Sequence, residues 1–413
     1  MQNKNVYAGR INSLDVYRGI ALACVIFFHT AIYSYGGMSS IDFDNPPLFV
    51  VLFATMGLWG GIFIMLSLIT SSLSIQRNLA RPSNNRRKVL TYTVYASGLY
   101  ILLHYALSFL LGRWELSLGS ANNPMTLTAE LLRNNQIGFP EMGAFFDGSV
   151  LSTIGLNLLL LGALMYALFR KPSVQNEKRA YVVLGSLTAL MVFVSFSRMY
   201  LYPAITTAVE SENYLTATVL GWLLGSPYPV VTYSLYGLFG AIIGVMVHHD
   251  RLHYIRRYLS PIGVVAVIAG IIGCLSLPVT IGKADLFWQW KAIMDLGIFL
   301  LIAVFALGIV QPMQRGMRHY TIFIWISRIS LTIYLLETTM SEILRSAWFM
   351  VLPGWNLSYV GTSAFAVFHV LWWFMIVYLW SRIQFRYSLE YFWTKFFRTL
   401  GKRSTKLERI QHL

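Results

Sequence analysis

The sequence predicts an all-α fold: a polytopic integral membrane bundle of about ten transmembrane helices with both termini in the cytoplasm. Three observations carry that expectation. Of 413 residues, 56% are hydrophobic and only 12% charged, about half the charge of a water-soluble domain. Apolar runs of about 20 residues recur almost end to end, each long enough to cross a hydrocarbon layer of about 30 Å as a helix. Lys and Arg gather in alternate loops, the mark of cytoplasmic loops in a membrane protein. A β-barrel would instead need alternating ten-residue segments. The formal charge of +15 sits in short loops rather than on one soluble face, so it reads as membrane orientation and not as a nucleic-acid surface.

In chain order the runs fall at residues 14–35, 47–73, 89–111, 148–169, 180–202, 228–247, 259–281, 291–310, 322–344 and 361–381. The first lacks a cleavage site and reads as an uncleaved span. Even loops hold cations such as Arg77, Arg86, Arg87, Lys88, Arg251 and Arg257, whereas odd loops hold Asp42, Asp44, Glu115, Glu141 and Glu212. The odd loops at 112–147 and 203–227 exceed the usual connection length and read as binding loops or lids. The segment 385–413 reads as a basic amphipathic helix on the inner leaflet, with Phe385, Leu389, Phe392, Trp393, Phe396 and Phe397 toward lipid. Cys24 and Cys274 both lie in apolar runs, where neither a disulfide nor a zinc site is expected, and no metal is expected elsewhere.

An ionisable side chain inside a span costs several kcal/mol and marks a candidate site. Arg18 and His29 are eleven residues apart, nearly on one face of the first helix, with Asp15 and Tyr33 on the same stripe. At 1.5 Å per residue they stand about 16 Å apart, which places Arg18 toward the cytoplasmic rim and His29 deeper. A guanidinium there suits phosphate, and an imidazole in the span suits proton removal from a hydroxyl or amine. The plainer reading is an Asp15–Arg18 pair anchoring the helix and a His29 that bonds across the bundle; spacing alone leaves both open. In the ninth run Arg328 and Glu337 fall nine residues apart on opposite helix faces, so each needs a partner on another helix. Glu337 is a candidate to orient His29, and Arg328 to hold a phosphate or carboxylate. His104 and His369, alone among apolar neighbours, read as packing residues.

Arg10-x3-Leu14-Asp15-x2-Arg18-Gly19-Ile20-Ala21, with His29 eight residues on, resembles the opening signature of the transmembrane acyltransferase superfamily. That group includes acyltransferase family 3 and the heparan-α-glucosaminide N-acetyltransferase family. Residues from Gly61 to Ser67, running into Ser71, Ser72 and Arg77, are similar to its second-helix pattern, and Ser330 to Leu336 to its late helix. The segment Phe385 to Trp393 resembles the ending of the YeiB-type branch. The resemblance implies that residues 1–384 form an acyltransferase domain that moves an acyl group, usually acetyl, from cytoplasmic acyl-CoA to a carbohydrate or glycolipid acceptor at the outer face. On it, His29 is the general base with Asp15 and Glu337 assisting. Arg10, Arg18, Arg77, Arg86, Arg87, Lys88 and Arg328 hold acyl-CoA, and Ser67, Ser71 and Tyr334 are oxyanion candidates. Trp114, Asn122, Tyr214 and Trp222 are expected to meet the acceptor. The expected partners are acyl-CoA, the acceptor and the lipid bilayer of a bacterial inner membrane, with room for a homodimer and no nucleic acid. A transporter or flippase of a glycolipid or envelope precursor is the competing expectation, and a scaffold in envelope synthesis a third.

Overall fold

A computed structural model of the chain describes residues 11–37, 41, 46–57, 59–81, 86–112, 126–138, 145–146, 148–171, 173, 175–225, 227–280, 284–311, 319–396 and 399. Among them the regular structure is helical, and an isolated bridge between Gly148 and Pro227 is the sheet-like pairing present. The helices are α1 Asn12–Ser34, α2 Leu48–Gly57, α3 Gly61–Leu79, α4 Arg86–Ala106 and α5 Leu127–Asn134. There follow α6 Val150–Phe169, α7 Asn176–Phe196, α8 Arg198–Leu201, α9 Pro203–Glu210, α10 Tyr214–Leu224 and α11 Val230–His248. The chain closes with α12 Leu252–Tyr254, α13 Ser260–Leu275, α14 Leu286–Phe305, α15 Thr321–Arg328, α16 Ser330–Val351 and α17 Tyr359–Arg382. Nine described helices are long and apolar enough to cross a membrane, and α15 with α16 forms a bent tenth. The protein is an integral membrane bundle, as the apolar runs lead one to expect.

Helix starts follow local chemistry. Ser149 and Ser152 form a reciprocal capping box at α6, and Thr126, Asn213, Asp285 and Ser358 each accept a backbone N–H at the starts of α5, α10, α14 and α17. The core is centred on α11, which is apolar all round and almost wholly buried. Gly237, Gly240 and Gly244 line one side of it, where an added Cβ would run into Asn157, Met65 and Ser72, so α6 and α3 pack backbone-close. By contrast α7 and the span 252–275 are mostly exposed, with Phe193, Val265 and Ile272 outward, as lipid-facing helices require.

Two expected spans are broken. The run at 47–73 is not one helix: α2 ends at Gly57 and α3 starts at Gly61. At Gly60 an added Cβ would meet Val150 and Tyr228, at Gly61 Tyr236, and the Trp59 indole turns aside to donate to Asp295. The run at 322–344 is likewise two helices, α15 and α16, meeting at 87° around Ile329. Arg328 ends α15 and Glu337 lies in α16, so the expectation that they share one helix is corrected.

Gly19 is where the crossing of α1 and α15 is decided. A Cβ on it would lie 2.1 Å from the carbonyl oxygen of Phe323, a backbone atom with nowhere to go. Gly19→Val should therefore destabilise the protein by about 3 kcal/mol, the upper end of overpacking costs. The check is the thermal unfolding midpoint of the purified protein, and a wild-type midpoint would contradict the packing argument.

Candidate active site

Each terminus of α1 is tied to a different neighbour. At its start the Ser13 N–H donates to Gln311 at 3.2 Å, and Ser327 of α15 donates to the Asp15 carboxylate at 2.9 Å. Asp15 lies fourteen residues from His29, about 21 Å along the axis, so the structure puts it at the α15 crossing and not at the imidazole. Toward the other end, Thr30 and His369 of α17 bond at 2.8 Å, and Trp373 donates to the second nitrogen of that ring at 3.0 Å. With Nε2 accepting, Nδ1–H of His369 donates to Thr30, so both ring atoms are occupied in packing α17 onto α1, as expected of this histidine. His104 bonds to Ser108 one turn on.

His29 and Glu337 meet across the bundle, with Nδ1 3.1 Å from Oε1. Glu337 is buried and the imidazole is 18% exposed. An ionised carboxylate only accepts, so toward Glu337 the His29 Nδ1 is the donor. A carboxylate on one ring nitrogen fixes the orientation and tautomer of an imidazole. The Tyr33 ring packs edge-on to His29 at 5.5 Å.

A cavity of about 120 Å³ has Tyr334, one turn before Glu337 on α16, in its wall. Arg18, Ser67, Thr70, Ser71, Ser330 and Tyr334 are its polar lining, and α6 closes it with Val150, Leu151, Ile154 and Leu158. Arg18 and all three oxyanion candidates are thus brought to one space. His29 is not among the described walls; it is joined to them through α16, where Ser330 and Tyr334 face the cavity and Glu337, one turn past Tyr334, holds the imidazole.

The Arg18 Nη2 donates to the Leu66 carbonyl at 3.3 Å, and Leu66 lies eleven residues, about 16 Å, from Arg77 along α3. The basic side chains Arg77, Arg86, Arg87 and Lys88 stand together at the α3–α4 corner, Arg86 and Arg87 exposed and the other two half-buried. Between that corner and the cavity, α3 carries a polar stripe, Ser67, Ser71, Ser74 and Asn78 at steps of four, three and four, of which the sequence reading singled out only the first two. Asn78 donates to Ser74 along it. The signal was present as a helical repeat of polar residues within an apolar run.

Several expected residues fall elsewhere. Arg328 is exposed at the end of α15 and lines no part of this cavity, which corrects its assignment to a polar centre with Glu337. Tyr214 and Trp222 sit on α10, Tyr214 stacked parallel to Phe146 at 6.1 Å and Trp222 beside Tyr105 at 6.3 Å. Arg10, Trp114 and Asn122 lie outside the described residues. The other charges found in apolar runs are paired: Arg133 of α5 clamps Glu342 of α16 with two bonds of 2.8 and 2.7 Å, Lys291 pairs with Asp295, and Arg198 donates to the Leu224 and Gly225 carbonyls. No group of three or more metal-ligating side chains occurs among the described residues.

No curated protein matches the chain. Residues 10–111, about a quarter of it, match the family model described as heparan-alpha-glucosaminide N-acetyltransferase, catalytic. The matched region contains α1 to α4 and so the Arg18, His29, Ser67 and Ser71 side of the site, while Tyr334 and Glu337 come from outside it. Over its first four helices the chain is thus similar to the catalytic region of the heparan-α-glucosaminide N-acetyltransferase family.

Proposed function

We propose that this protein transfers an acyl group, acetyl in the first instance, from acyl-CoA to a hydroxyl or amine of a carbohydrate or glycolipid acceptor, in a bacterial inner membrane with both chain ends in the cytoplasm. The observation that carries the proposal is that α16 joins cavity and imidazole: Tyr334 lines a cavity shared with Arg18, Ser67 and Ser71, and Glu337, one turn on, bonds His29. The family match over residues 10–111 supports the reaction class.

In this reading the phosphates of CoA are held at the Arg77, Arg86, Arg87 and Lys88 corner, where cations cluster. The polar stripe from Asn78 to Ser67, about 16 Å long, guides the polar arm toward the cavity, since hydroxyls along a spanning helix fit a watery groove better than lipid. His29 Nε2 takes the proton from the acceptor hydroxyl or amine as that atom attacks the thioester carbon. The C–S bond then breaks, and the imidazolium returns its proton to the departing thiolate. Ser67, Ser71 or Tyr334 donates to the developing oxyanion. Holding both substrates at one point supplies much of the rate.

Acetyl-CoA should raise the thermal midpoint of the purified protein, because a ligand that binds only the folded state stabilises it. Arg18→Ala should reduce that shift by more than half. The transporter reading draws on the two broken spans, a feature of transporter binding sites. It predicts no shift at millimolar acetyl-CoA, and that outcome would overturn the acyltransferase proposal.

A further inference from the structure

The break before α16 leaves the first N–H groups of a 22-residue helix without partners inside that helix, and the residue at its cap position, Ile329, has no side chain able to accept them. Their partner comes from 58 residues further along. Glu390, in the segment that follows α17, accepts the Leu331 N–H at 2.7 Å and the Thr332 N–H at 3.2 Å on one carboxylate oxygen. Its other oxygen accepts the Thr332 hydroxyl at 2.6 Å, and that hydroxyl in turn accepts the Leu389 N–H at 2.8 Å. The segment is built to deliver this carboxylate. After α17 the chain turns back through Gln384, Phe385 and Tyr387, all at positive φ; Phe385 is buried in the main core, and the Trp380 indole donates to the Arg386 carbonyl at 2.7 Å. Leu389 packs on the small apolar cluster of Leu103, Leu151 and Leu335, together with Leu331 and Tyr334. Burial pushes the Glu390 carboxyl up, while the bonds from Thr332 and the backbone N–H groups oppose it.

The capped turn is the same turn that floors the cavity. Ser330, Leu331 and Tyr334 are cavity walls, and Tyr100, another wall residue, lies in the field of both Arg18 and Glu390. One and two turns beyond the cap stand Tyr334 and Glu337, so the direction in which α16 leaves the break sets where the His29 partner arrives. We infer that Glu390 is a positioning residue of the site: it fixes the start of α16 and thereby holds Tyr334 and Glu337 in register with Arg18 and His29, which makes the segment after the last span part of the catalytic unit and not a surface anchor alone. The inference rests on the acyltransferase reading for its kinetic consequence, but the capping itself does not.

The test uses the full chain in lipid nanodiscs, with CoA thiol release from acetyl-CoA as the activity and amide hydrogen exchange across 330–338 as the structural readout. Glu390→Ala should lower kcat about tenfold or more while leaving KM for acetyl-CoA within about twofold, and should speed exchange at Leu331 and Thr332. Glu390→Gln should restore most of both, because the amide oxygen still accepts the two N–H groups and the amide nitrogen can donate to Thr332. Thr332→Val, a milder change that removes one bond, should lower kcat about threefold and should cost little more when combined with Glu390→Ala. Wild-type exchange in Glu390→Ala would overturn the capping; faster exchange with unchanged kcat would overturn the positioning. A Gln variant as poor as Ala would assign Glu390 a proton or charge role instead. If the wild-type protein releases no thiol, the acyltransferase proposal fails, and the exchange measurement still decides the cap.

Discussion

His29→Ala should cut acyl transfer by about 10²- to 10⁴-fold, the usual contribution of a positioned general base, while the protein still inserts and unfolds at a normal temperature. The loss is large because no group on the described walls of the cavity can replace the imidazole: the polar groups there are hydroxyls and the Arg18 guanidinium. It should be specific because the contacts that hold α1 in the bundle lie elsewhere. The imidazole is 18% exposed, and α1 is held to α15 and α17 by Ser327, His369 and the close approach at Gly19, none of which the substitution touches. Thiol release from acetyl-CoA in the presence of amino-sugar and hydroxyl-sugar acceptors measures it. Turnover at the wild-type rate would end the mechanism.

Glu337→Gln should be nearly as damaging in rate, about 10²-fold or more, with donor binding unchanged. The carboxylate accepts from Nδ1 at 3.1 Å and so keeps the proton off Nε2; an amide can present either its oxygen or its nitrogen, and the second choice turns Nδ1 into the acceptor and puts the proton on the atom that must act as base. The variant keeps shape and volume in a buried position, so its thermal midpoint should stay near wild type. The decisive readout is the split between kcat and the acetyl-CoA stabilisation: a fall in kcat with full stabilisation supports orientation of the base, and an unchanged kcat contradicts it.

The spans were legible because a membrane core imposes one simple demand, a run of about 20 apolar residues, and the chain meets it repeatedly. The same simplicity hid the breaks. Hydropathy does not register where backbone hydrogen bonds are interrupted, and Ile329 and Ser330 carry none of the Pro or Gly punctuation that would warn of an 87° turn. The glycines at 57, 60 and 61 were visible, but their meaning depends on Val150, Tyr228 and Tyr236, side chains about 90 to 175 positions away.

For the site, the rule that a charge in a span needs a partner correctly drew attention to His29 and Glu337, and their meeting follows from the meagre supply of polar groups inside the bundle. It served Arg328 badly, because the broken span carries that residue to an exposed helix end. Glu390 was read as part of a surface helix, and no local pattern says otherwise; its three donors lie 58 and 59 residues away on an element whose start the sequence conceals.

The most direct measurement is a structure of the protein with a non-hydrolysable acyl-CoA bound. The account predicts the adenine-nucleotide phosphates at Arg77, Arg86, Arg87 and Lys88, the arm along the Ser74 and Ser71 face of α3, and the acyl carbon in the cavity between Arg18 and Tyr334, with open space from it to His29 Nε2. Acyl-CoA bound away from that cavity, or an acyl carbon walled off from His29 by packed side chains, would contradict it.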